Sequence, residues 1–136
     1  MRAGLLLAAL ALGACASSDQ FRPRSVYPPD PWVKGYADAE DCIGGEALAA
    51  VSLELPDYPR RAFRTGRQGW ALIVLDVGSD GTVTRAETER AVPDGLFETA
   101  SERAALAWRF EPPDNGGLTD CRVLLRYRLG EVSLGG

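Results

Sequence analysis

The sequence predicts an α+β fold: a small antiparallel sheet of about three strands, with two helices packed on one face. Three observations carry this. Gly69 to Val77 alternates, with Ala71, Ile73, Leu75 and Val77 on one side of a strand. Gly78-Ser79-Asp80-Gly81 follows as a tight hairpin turn, its Asp-Gly pair tolerating positive φ, and Thr82 to Ala91 returns as the second strand. A last strand alternates again, Val123, Leu125, Tyr127 and Leu129 facing one way and Arg122, Leu124, Arg126 and Arg128 the other. The helices flank the hairpin. Pro59 suits a first helical position, with Asp57 or Tyr58 in the cap region, and the helix runs through Arg64 to a left-handed Gly66. The second starts at Pro93-Asp94-Gly95, carries Phe97, Ala100, Ala104 and Trp108 at helical spacing, and is stopped by Glu111-Pro112-Pro113.

The segment before the domain reads differently. Met1-Arg2 and the Leu/Ala run from Leu5 to Leu12 form a signal peptide, since about ten apolar residues cannot cross a bilayer that needs roughly 20. Leu12-Gly13-Ala14-Cys15 resembles the lipobox of bacterial lipoproteins. That resemblance implies cleavage after Ala14 and acylation of Cys15. An ordinary signal peptide with an incidental cysteine is the alternative. The expected organisation is a lipoprotein signal peptide over 1–14, a polar, proline-containing tether over 15–46 and a domain over 47–136. Tyr27, Trp32 and Tyr36 are unusual in a spacer; they either cover the domain or form a weak interaction motif.

The 136 residues carry 15 Lys+Arg against 19 Asp+Glu, a net charge of −4 that argues against nucleic-acid binding. Histidine is absent, which removes the commonest general base and metal ligand, and three cysteines do not make a four-ligand zinc site. No catalytic, cofactor or metal residues are assigned. Glu87, Glu89, Asp94 and Glu98 are the carboxylates an enzyme would have to use, yet their expected places are a strand, a turn and a helix start, where acids are at home anyway. In an oxidising compartment Cys42 and Cys121 are most simply a disulfide, a free thiol being the alternative.

Tyr58-Pro59, Ala62, Gly66 and Gly69, the alternating strand with Asp80-Gly81 and Val83, and Ala107-Trp108-Arg109-Phe110-Glu111-Pro112 form an ordered series over roughly Leu55 to Leu129. This series resembles the C-terminal domain of TonB, the energy transducer of Gram-negative bacteria. The resemblance implies a partner: the N-terminal segment of an outer-membrane receptor, added as a strand beside Arg122 to Leu129, with Arg126 and Arg128 flanking it. Protection of an edge strand by cationic side chains is the plainer role for Arg122, Arg126 and Arg128. Trp70, Leu72 and Val74 point away from the core with Leu124. They are either an exposed interface, including a homodimer surface, or the seat of the tether. TonB itself begins with a membrane-spanning helix and a long spacer; this sequence shows a lipobox instead. Ala16 after Cys15 resembles lipoproteins sorted to the outer membrane. The expected function is thus an exported, lipid-anchored, non-enzymatic binding module supporting or modulating TonB-dependent transport. An envelope-structural, peptidoglycan-associated or self-assembling lipoprotein is the alternative.

Overall fold

A computed structural model of the chain describes residues 20–31, 42 and 47–135. The signal segment, Cys15, Trp32 and Tyr36 lie outside the described residues. In chain order the elements are β1 (Ala50–Ser52), α1 (Arg60–Arg64), β2 (Gly69–Val77), β3 (Val83–Val92), α2 (Glu98–Leu106), β4 (Arg109–Phe110), β5 (Leu118–Arg128) and β6 (Glu131–Leu134).

The main sheet is antiparallel in the order β3-β2-β5-β6, and β1 and β4 form a separate two-stranded pair. The sheet therefore has four strands where about three were expected. The fourth exists because Leu129 and Gly130, at φ 52° and 79°, turn the chain straight back onto β5. Two positive φ values in succession are the geometry that matches strand twist, and leucine is a poor advertisement for it. Leu129 accordingly leaves the core face predicted for it and is 57% exposed.

The core lies between the sheet and the helices. Ala71, Ile73, Leu75 and Val77 meet Val123, Leu125 and Tyr127 there, all buried. The helix α2 presents Phe97, Ser101, Ala105 and Trp108 to them rather than Ala100 and Ala104. The stripe is offset because α2 begins only at Glu98 and Phe97 serves as its N-cap. Phe97 stacks on Tyr127 at 4.3 Å between ring centroids, and Tyr58 stands edge-on to both at 5.9 and 5.7 Å. The hydroxyls of Ser101 and Tyr127 share a buried hydrogen bond of 2.7 Å, and burial pushes the Tyr127 phenol up to about 12. Glu102 accepts from the Thr88 backbone N–H and hydroxyl at 2.9 Å each, tying α2 to β3. The Cys42–Cys121 disulfide closes from outside, with Cys121 fully buried on β5.

The Ser101–Tyr127 pair predicts a particular mutational pattern. Tyr127→Phe leaves a buried serine hydroxyl without its partner and is expected to cost about 1–3 kcal/mol in chemical unfolding. The double variant Ser101→Ala/Tyr127→Phe should recover most of that loss. Equal destabilisation in the single and double variants would remove the hydrogen bond from the account.

Candidate functional site

The face of the sheet opposite the helices is where the sequence places its candidate contacts, and the strand register brings them together. Trp70 lies opposite Arg126, Leu72 opposite Leu124, and Val74 opposite Arg122. Arg128 continues the same side of β5, since successive residues of a strand alternate. Three of these residues form a small apolar cluster, with Trp70 2%, Leu72 6% and Leu124 2% exposed. Val74 is half-buried beside them.

What covers the cluster is the described part of the tether, residues 20–31, which acts as a strap. It enters at the end of α1, where the N–H groups of Arg24 and Ser25 donate to the Gly66 carbonyl at 2.8 and 3.3 Å. Gly66 has φ +63°, and a Cβ there would stand 2.1 Å from the Arg22 carbonyl oxygen. Only glycine satisfies both the left-handed backbone and the strap's close approach. Gln68, buried, is the clamp: its N–H donates to Ser25 Oγ, its side-chain amide to the Ser25 carbonyl, and its Oε1 accepts from the Leu129 N–H. Farther along, Tyr27 packs on the apolar cluster and the Trp70 indole N–H donates to the Pro29 carbonyl at 3.0 Å. Asp30 takes the Tyr27 hydroxyl and pairs with Arg126 at 2.8 Å, while Arg128 lies 5.6 Å from the Tyr27 ring centre. Burial first, and the Asp30 hydrogen bond second, raise the Tyr27 phenol above its ordinary value. The face that sequence leaves open between an interface and a seat for the tether thus carries residues 20–31.

The edge expected for docking is likewise occupied by the chain. Residues Leu125 to Arg128 pair with β6, and the Gly135 N–H donates to the Leu124 carbonyl at 2.7 Å. The stretch Arg122–Leu129 is not a free edge over its second half; β6 is the outer strand there. The sequence carries a signal for it, Gly130 followed by the alternating Val132 and Leu134, but the preceding Leu129 hides the turn.

The other end of the same face is ionic, and this cluster was not legible in the pattern of the strands. Arg85 holds Asp76 through two hydrogen bonds of 2.8 and 3.1 Å and also pairs with Asp120 and Glu87. Asp76 accepts from the Asp120 N–H as well, at 2.9 Å. Arg122 makes a two-pronged contact with Glu89 at 2.9 and 3.1 Å. Of the carboxylates considered for chemistry, Glu87 and Glu89 are ion-paired and Glu98 accepts from the Gly95 N–H at the start of α2. Asp94 is exposed in the turn before it. Among the described residues no cluster of His, Cys, Asp or Glu is arranged to hold a metal ion. No described helix is long and apolar enough to cross a membrane.

Residues 54–129 match the family described as Gram-negative bacterial TonB protein C-terminal. The chain belongs to the TonB C-terminal family. It is 32% identical over 70 residues to Protein TonB of Pseudomonas aeruginosa, covering 52% of this chain and 20% of that protein. It is 34% identical over 77 residues to Protein TonB of Escherichia coli K12, covering 57% of this chain and 32% of that protein. The chain thus spans a third or less of either TonB. The solution structure of the Pseudomonas aeruginosa TonB C-terminal domain superposes with a TM-score of 0.53 at 23% identity, over 62% of this chain and 88% of the other, and supports the fold. The matched stretch contains α1, the hairpin, α2 and β5. The strap and β6, which cover the second face and the edge, fall outside it, as does Cys42, which packs into the main core.

The ionic cluster yields a pH prediction. Hydrogen bonds from Arg85 hold the Asp76 carboxyl below its ordinary value, so Asp76 stabilises the fold above the pKa of the unfolded chain, about 4. That contribution disappears as pH falls through the lower, folded-state value. Asp76→Asn is expected to melt below the parent protein at neutral pH, with the gap in Tm closing on acidification below about pH 4. A gap that stays constant across that range would contradict this role.

Proposed function

We propose that this chain is a periplasm-facing, lipid-anchored protein-binding module that supports or modulates TonB-dependent transport across the outer membrane. The observation that carries the reading is the combination of a TonB C-terminal domain over 54–129 with a sequence start that reads as a lipobox. In this reading 1–14 is removed, Cys15 is the acylated first residue, 15–46 is the tether and 47–136 the binding domain. The anchor faces the receptor side, the outer membrane.

The partner is the extended N-terminal segment of a receptor, and the mode is strand addition, in which backbone hydrogen bonds supply affinity and alternate side chains supply selectivity. Of the candidate contacts, Trp70, Leu72 and Leu124 support the sheet from beneath the strap, while Arg122, Arg126, Arg128 and Val74 line its second face. The edge at β6 is the place for the added strand: either the partner extends the sheet beside β6, or it displaces β6 and pairs with Leu124 to Arg128. Glu131 and Ser133, both exposed on β6, lie where that strand would pass.

Photo-crosslinking in living cells from Ser133, with Thr99 on the exposed side of α2 as the control position, tests this. Capture of a receptor's N-terminal segment from Ser133 and not from Thr99 is expected, together with an acyl mass on Cys15 in the purified protein. Capture of a second copy of the chain alone, or equal capture from both positions, would overturn the docking edge and favour a self-assembling envelope role.

A further inference from the structure

The strap does more than cover the sheet: it brings two arginines to a place that is already cationic. Arg22 and Arg24 cross the end of α1, where the Arg24 and Ser25 N–H groups donate to the Gly66 carbonyl, and α1 and its end carry Arg60, Arg61, Arg64 and Arg67. All six are exposed, and none forms an ion pair among the described residues. The acids nearest these arginines in sequence are Asp19 and Asp30 on either side of Arg22 and Arg24, and Glu54 and Asp57 before the helix, and of these Asp30 is taken by Arg126. A chain with a net charge of −4 thus concentrates unpaired positive charge at one end. The arginine–acid pairs among the described residues lie along the second face of the sheet, on Arg85, Arg122 and Arg126.

Two apolar side chains stand out of this end. Val26 is 91% exposed on the strap next to Arg67, and Leu129 is 57% exposed at the turn held by Gln68. Between Arg60 and Arg64 an open cleft of about 450 Å³ is walled by the rings of Tyr58 and Phe63. Phe21 packs edge-on to both rings, at 5.3 and 5.4 Å. Guanidinium groups around amphipathic rings, with exposed aliphatic tips, are the chemistry of a surface that meets phosphate headgroups and the top of the acyl region.

We propose that this arginine-rich end docks on the anionic phospholipid headgroups of the bilayer in which Cys15 is anchored, so that the domain rests on the membrane instead of sweeping freely on its tether. The inference rests on the anchoring at Cys15 proposed above. Cys15 and Arg22 are seven residues apart, a span of at most about 25 Å when fully extended, so the acyl anchor and the patch cannot be far from the same surface. The anchor holds the chain to the bilayer without fixing how the domain lies on it, and a basic patch supplies that second contact. Bidentate arginine–phosphate contacts give that signal geometry as well as charge.

The test uses the full chain reconstituted into phosphatidylcholine vesicles with or without phosphatidylglycerol. A fluorophore on Val26→Cys is read against a quencher placed at the headgroup level. Quenching several-fold stronger in the anionic vesicles is expected, weakened by salt. The docked-to-free ratio should fall about fivefold for each arginine removed in Arg60→Gln/Arg64→Gln. Arg22→Gln provides a second variant on the strap, away from the helix. Quenching that is equal in the two lipid compositions, or unchanged in both variants, would overturn the docking; that is also the result if the patch serves an acidic protein segment. Flotation with neutral vesicles reads the anchor separately. Its loss would overturn the reading of Cys15, while flotation only with anionic vesicles would still support the patch.

Discussion

A sheet has two faces, and two short helices can cover only one of them. Everything distinctive about this protein follows from how the second face is closed. Trp70, Leu72 and Leu124 would each forfeit about 1.5–3 kcal/mol if left in water. The chain closes them under its own residues 20–31, which satisfy the Trp70 indole, pair Arg126 and hydrogen-bond the loop after α1. Fixing a backbone residue costs about 1–2 kcal/mol, so a strap of ordinary composition would be an expensive cover. Four of the twelve residues are proline, at positions 23, 28, 29 and 31. Their restricted φ leaves less freedom to lose on docking, which is why a proline-rich segment suits this place.

The sheet's core face was legible in the sequence because alternation and burial coincide there: Ala71, Ile73, Leu75 and Val77 could face only one way. The hairpin at Asp80-Gly81 and the left-handed Gly66 were legible because each needs a residue with a particular backbone freedom. The strap could be narrowed to two readings and no further. Its hydrogen bonds to the rest of the domain join residues 41 to 96 positions apart in the chain, such as Trp70 with Pro29 and Arg126 with Asp30, and no local pattern encodes them. The β6 strand was hidden by Leu129 in a turn position that glycine or asparagine would have announced. The Arg85 cluster was hidden for another reason: Asp76 and Asp120 become neighbours only through the pairing of β2 with β5.

The strap and β6 lie outside the stretch that matches the TonB C-terminal family. The family stretch supplies the helices, the hairpin and β5. The segments outside it occupy the surfaces that such a domain would otherwise leave open, one face by the strap and half an edge by β6. On the function proposed above, the outer side of β6 is the place for a partner, and on the proposed docking the arginine-rich end where the strap begins is the place for a membrane.

Residues 20–31 are bound to the sheet in the isolated protein, and the closure of the second face depends on it. Hydrogen exchange followed by NMR on the full chain tests it at two groups, the Ser25 amide and the Trp70 indole N–H. Both should exchange far more slowly than free-chain rates, and Asp30→Ala/Tyr27→Ala should speed both while leaving the β2 and β5 amides protected. Free-chain exchange at both groups in the parent protein would contradict the account, leaving Trp70 and Leu72 as an open interface.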